Sequence, residues 1–218
     1  MPADENYVPA LGYRWLTPYY DAVVGATTRE RRFKTALIEQ ACFAPGQRVL
    51  DLASGTGTLA IWIKRAQPLA EVLGIDGDPS IISLASHKAL KAGVKVRFEL
   101  GLSDKLPYPS AHFDRVLSSL FFHHLSWREK ERTALELLRV LKPRGELHVA
   151  DWGRADNALM RGLFLPVQFL DGFPNTQDNV SGKLVTLFEQ AGFIETTQRQ
   201  TFNTVFGTMA LYSAVRPV

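Results

Sequence analysis

The sequence predicts an α/β domain with a seven-stranded, mostly parallel sheet and helices on both faces. Three observations carry this. Short apolar runs alternate with amphipathic helical stretches between residues 45 and 152, the pattern of strand–helix–strand units. Three of the runs end in a carboxylate, at Asp51, Asp76 and Asp151, and parallel strands of one sheet put such residues at a common edge, where open α/β sheets bind ligands. After the first run come Ala53, Ser54, Gly55, Thr56 and Gly57. Such a loop brings helix N-terminal backbone N–H groups close to a ligand with no large side chain intervening.

The elements follow in order. Thr27-x-x-Glu30 reads as a capping box, opening a helix to about Phe43 with Phe33, Leu37, Ile38 and Ala41 at helical spacing. Pro45-Gly46 turns the chain into Val49–Leu52, the first strand, and Thr58 starts the next helix. Glu71–Asp76 is the second strand; Asp78-Pro79 then opens a helix, since proline suits the first turn. Val94–Leu100 alternates apolar with charged residues as a third strand, and Phe113–Ser119 is the fourth. Ser126-x-x-Glu129 is a second capping box, and Glu146–Asp151 makes the fifth strand. Residues 153–180 are strongly apolar but broken by proline and glycine, which suits a lid over an apolar acceptor; core packing or a dimer contact gives the same pattern. Ser181 caps a last helix, and Phe193–Phe202 and Gly207–Val215 are two final strands.

The ligand at the glycine loop is set by the acids. Gly55-Thr56-Gly57-Thr58-Leu59-Ala60 fits a dinucleotide fingerprint, with Asp76 about 20 residues on for a ribose. A pyrophosphate, however, favours a helix end without an anion beside it. Asp51 instead suits a ligand carrying an ammonium and a sulfonium, and S-adenosylmethionine has both, together with a ribose for Asp76. A nicotinamide oxidoreductase is thus the less favoured reading. A tight turn that binds nothing is the bland one.

At Asp51-x-Ala53-x-Gly55-x-Gly57 the chain resembles the class I S-adenosylmethionine-dependent methyltransferases, above all the small-molecule branch of the ubiquinone and menaquinone C-methyltransferases, where alanine also replaces the first glycine. Leu106-Pro107-Tyr108, Phe113-Asp114 and Arg139-x-Leu141-Lys142-Pro143 extend the likeness. The resemblance implies a Rossmann-like domain with an antiparallel last strand, and methyl transfer to a small, hydrophobic acceptor. It implies cofactor contacts at Asp51, Ala53, Ser54, Gly55, Gly57, Asp76, Gly77, Leu102, Ser103, Ser119 and His124, and at Tyr20 in the aromatic N-terminal segment. Leu102 departs from the family, which usually has an aspartate there for the adenine amino group; backbone groups, Ser103 or Asp104 are the substitutes at hand. His123, His124 and Asp151 are candidates for acceptor orientation or proton removal. A catalytically idle cofactor-binding domain shares all these features.

The expected organisation is one domain over 1–218: a helical cap (1–44), the cofactor core (45–152), the lid (153–180) and a C-terminal helix with two strands (181–218). A net charge of +3, with basic residues scattered among acids, argues against a nucleic-acid partner. Homodimerisation is left open. The lone Cys42, in an apolar helical stretch, reads as a buried hydrophobe. No metal is expected: neighbouring histidines on a strand or helix point apart, and no further ligands suggest themselves. With no apolar signal core and no run long enough to span a bilayer, the expected location is the cytoplasm.

Overall fold

A computed structural model describes residues 29–218. Tyr20 and Thr27 lie outside them. Seven strands form one sheet in the order β3-β2-β1-β4-β5-β7-β6. They are β1 (Arg48–Leu52), β2 (Glu71–Asp76), β3 (Arg97–Leu100), β4 (Phe113–Ser119), β5 (Leu141–Trp152), β6 (Ile194–Thr204) and β7 (Gly207–Val215). The first five pair in parallel, whereas β7 runs antiparallel to both β5 and β6. The order reverses between β1 and β4, so a cleft opens at the carboxyl ends of those two strands.

Eight helices surround the sheet among the described residues: α1 (Glu30–Ala41), α2 (Thr58–Ala66), α3 (Pro79–Lys91), α4 (Trp127–Val140), α5 (Ala158–Leu163), α6 (Leu165–Asp171), α7 (Phe173–Val180) and α8 (Leu184–Gln190). Strand alternation divides the core between the two faces. Leu50, Leu52 and Val116 face Leu137 and Phe188 on one side. Val49 and Leu117 face Phe33, Leu37, Leu59 and Ile63 on the other. Each such side chain, fully buried, contributes about 1.5–3 kcal/mol.

Local signals hold in part. Asp78 caps α3 through Ser80 N, and the Ser126–Glu129 box opens α4 with both its bonds formed. By contrast α1 starts behind Arg29 at φ 55° with no side-chain cap, and Glu30 pairs with Lys34 at 2.6 Å. Ser181 ends α7 and does not cap α8, whose N-cap is Lys183. Cys42 is exposed, not buried: it sits at the left-handed C-cap of α1, which turns it out of the apolar face.

Residues 153–180 contain three short helices, α5, α6 and α7. Phe164 is in the core, its ring centroid 5.1 Å from that of Trp152, and Phe169 is 81% exposed. The side facing the body of the protein is mixed: Phe164 and Val180 are buried in the core, and Gln168, Thr176 and Asn179 are fully buried beside them. Helical phase explains the difference: with 3.6 residues per turn, Gln168 turned inward leaves its neighbour Phe169 turned outward.

Candidate active site

Asp51 and Asp76 lie at the ends of adjacent parallel strands, two residues out of register, since Asp51 pairs with Gly74. Asp51 is 1% exposed, and its Oδ2 accepts from Ala60 N at 2.9 Å. It therefore braces the first turn of α2 instead of looking into open space. Burial, opposed by nearby Lys34 and the Ala60 N–H, pushes its carboxyl up to about 7. Asp76 Oδ2 accepts from Gly55 N at 2.9 Å and Oδ1 from Asp78 N at 3.1 Å. Burial outweighs those bonds and raises its pKa as well.

The loop between them is shaped by left-handed backbone. Ala53, Gly55 and Gly57 have φ of 53°, 51° and 77°. A Cβ on Gly55 would meet nothing within 4 Å, so this stretch of backbone lies open to a ligand. A Cβ on Gly57 would stand 2.6 Å from Phe98 Cζ, so Gly57 is needed for packing. Ser54 Oγ is buried without a hydrogen-bond partner among the described residues. An open backbone cradle, an orphaned hydroxyl and two acids fit an adenosyl amino acid.

The two glycines should separate in experiment. Gly57→Ala should lower unfolding stability by about 1–3 kcal/mol through the clash, and by about 1–2 kcal/mol more for its left-handed backbone. Gly55→Ala bears only the backbone cost, yet its methyl occupies the open cradle, so S-adenosylhomocysteine affinity should fall much further than stability. Thermal melts and calorimetric titrations on both variants check this.

Farther along the edge, Gly77 follows Asp76 and Ser119 closes β4 opposite Ala150. Leu102 is half exposed and bridges to Lys105. Ser103 Oγ lies 2.8 Å from Thr133 Oγ1, and Asp104 pairs with Arg132 at 3.1 Å. Both polar candidates for the adenine are thus engaged with α4.

The chain then passes through Leu120 at φ 57° into a 3-10 turn, Phe122–His124. Asp151, fully buried at the end of β5, organises this turn. Its carboxylate accepts from Phe121 N at 3.0 Å, Phe122 N at 2.7 Å and Trp152 N at 2.7 Å, and from Asn179 Nδ2 at 3.1 Å. His123 Nδ1 lies 2.8 Å from Oδ1. Burial would raise the Asp151 pKa, but His123 and these N–H groups prevail and hold it below the usual carboxylate range. Because an ionised carboxylate only accepts, the proton of this bond is assigned to His123 Nδ1.

The histidines do not point apart. Their ring centroids are 4.0 Å from each other, because a tight 3-10 turn replaces the strand or α-helix on which neighbours diverge. Burial, helped by His123, pushes His124 down to about 3, so its ring is neutral at neutral pH. Asp171, on α6, reaches the same place: it lies 3.6 Å from His123 Nε2 and 3.9 Å from His124 Nδ1. Sequence reasoning missed Asp171 and Asn179. Neither belongs to a motif, and only the fold brings α6 and α7 back over the turn.

Residues 49–145 match the family model of a methyltransferase domain. The demethylmenaquinone methyltransferase of Deinococcus radiodurans is 32% identical over 151 residues, covering 68% of this chain but only 62% of the relative. The ubiquinone/menaquinone biosynthesis C-methyltransferase of Pseudomonas fluorescens is 30% identical over 208 residues, covering 86% of this chain and 79% of the relative. Among solved structures, a SAM-dependent methyltransferase from Aquifex aeolicus superposes with a TM-score of 0.65 at 21% identity, covering 84% of this chain and 89% of that one. This last likeness concerns the fold. No helix among the described residues is long and apolar enough to cross a membrane.

Proposed function

The chain belongs to the S-adenosylmethionine-dependent methyltransferases, and from that premise we propose that it methylates a small acceptor whose polar head lies against His123 and His124. The cofactor, when bound, supplies a methyl group activated by its sulfonium. The chain's own residues align and shield. Asp76 would exchange its bond to Gly55 N for the ribose hydroxyls, and Gly55 would offer open backbone. Asp51, buried behind the loop, would hold the α2 turn and supply negative charge near the ligand's ammonium. Gly77, Ser54 and Ser119 line the same edge.

The single observation that carries the acceptor side is the Asp151–His123 contact at 2.8 Å. It fixes the ring and aims Nε2 away from the sheet, toward α6. Asp151 itself is a positioning residue, since its two oxygens are fully engaged and it has no exposed surface. In-line transfer gains mainly from such alignment and from exclusion of water. Residues 153–180 would form one wall of the acceptor site through Asp171, which lies beside both histidines. Relatives named for demethylmenaquinone and ubiquinone/menaquinone methylation support an aromatic quinone-type acceptor.

The test is transfer of labelled methyl from S-adenosylmethionine across a panel of quinols, phenols and amines. Turnover of a quinol above the rest supports the reading. Tight binding of S-adenosylhomocysteine with no turnover of any member would make the protein an idle cofactor-binding domain.

A further inference from the structure

On the acceptor side of the sheet edge, two imidazoles and a carboxylate converge. One donor atom from each of His123, His124 and Asp171 can be chosen so that all three lie within 4.8 Å of one another. The contacts of Asp171 with the two rings, at 3.6 and 3.9 Å, are too long for hydrogen bonds. Among the described residues, no donor hydrogen-bonds to the Asp171 carboxylate. Two ligands on one tetrahedral ion, with bonds of about 2.0–2.1 Å, stand about 3.3 Å apart. The donors, all within 4.8 Å of one another, thus stand between about 0.3 and 1.5 Å outside that spacing, a gap that side-chain rotation has to close.

The surroundings are those of a metal ligand set. His123 gives Nδ1–H to Asp151 and has Nε2 3.6 Å from the Asp171 carboxylate, the carboxylate–histidine arrangement that orients metal-bound imidazoles. Asp151 is anchored in turn by three backbone N–H groups and Asn179. The His123 side chain is 4% exposed, whereas those of His124 and Asp171 are 27% and 20% exposed. The cluster is closed at the back and open at the front, which gives an ion an entry path and leaves room for a further ligand.

We propose that His123, His124 and Asp171 bind one divalent transition-metal ion of the zinc or iron(II) class, with an open coordination position for an oxygen of the acceptor. Two imidazoles and one carboxylate suit these ions, while magnesium and calcium favour oxygen ligands throughout. Asp171 is the ligand from α6, so the ion fastens the 153–180 segment to the turn after β4. The open position for the acceptor rests on the methyl-transfer reading, whereas metal binding itself is measured on the protein alone.

Chelator-treated protein is titrated with Zn2+ by calorimetry, and with Co2+ by visible absorption. One ion per chain is expected, with the intense bands of four- or five-coordinate cobalt. Removing even an outer-shell partner of a metal ligand weakens binding about 10–100-fold, so Asp171→Asn and His124→Ala should each weaken it at least roughly tenfold. Melting in chelator should stay near that of the unsubstituted protein. Absence of saturable Zn2+ binding overturns the proposal, as does stoichiometric binding that survives Asp171→Asn. If either variant fails to fold, the cobalt spectrum of the unsubstituted protein decides: weak bands of hydrated cobalt overturn the site. S-adenosylhomocysteine affinity of the same preparation tests the cofactor reading separately, so that cofactor binding without metal binding defeats the metal site only.

Discussion

Asp151→Ala should lower unfolding stability by about 3–5 kcal/mol, the range for removing one partner of a buried charged pair, and should abolish turnover. Five groups lose their acceptor at once: three backbone N–H groups, His123 and Asn179. Buried donors without partners cost about 1–3 kcal/mol each before relaxation, so the turn Phe122–His124 should come loose. Asp151→Asn keeps one oxygen but turns an NH2 toward backbone N–H groups, and should fall between alanine and the unsubstituted protein. Denaturant unfolding and proton NMR of His123 provide the readouts. Unchanged stability in Asp151→Ala would mean that the turn is held by other contacts.

Asp51→Asn should stabilise the ligand-free protein at alkaline pH while weakening cofactor binding. The carboxyl titrates at about 7 when folded, against 3.8 ordinarily. Between those values the folded chain holds a proton that the unfolded chain has lost, so stability falls as pH rises through this window. Below pH 3.8 this group carries no penalty, and above pH 7 the penalty is complete, at most about 4 kcal/mol at 1.36 kcal/mol per pH unit. The asparagine oxygen can still accept from Ala60 N, so the variant should lack this slope. Parallel melts at pH 5 and pH 8 measure the difference. An identical slope in both proteins would mean that Asp51 is ionised throughout and solvated in a way its burial denies.

Much of this frame was legible in the sequence, because local chemistry and tertiary structure agree there. The acids closing β1, β2 and β5, the left-handed glycines and the Ser126–Glu129 box each carry their own signal within a few residues. What was not legible depended on contacts distant in sequence. Whether Phe169 faces an acceptor or water is fixed by how α6 packs, and a seven-residue helix that is apolar on most sides leaves that phase open. Asp171 meets the histidines only because α6 folds back over the sheet edge. The divergence expected of His123 and His124 followed from regular geometry that the 3-10 turn does not have. Cys42 lay in an apolar stretch, but at its last position, where the helix had already ended.

The central claim is that the edge formed by Asp51, Gly55 and Asp76 holds an adenosyl amino acid. Titration calorimetry with S-adenosylhomocysteine, and separately with NAD, tests it most directly. The account predicts one saturable S-adenosylhomocysteine site, no heat from NAD at the same concentration, and a loss of about 1–3 kcal/mol of binding in Asp76→Ala, the value of a lost charged hydrogen bond. Saturable binding of NAD with none of S-adenosylhomocysteine would contradict it.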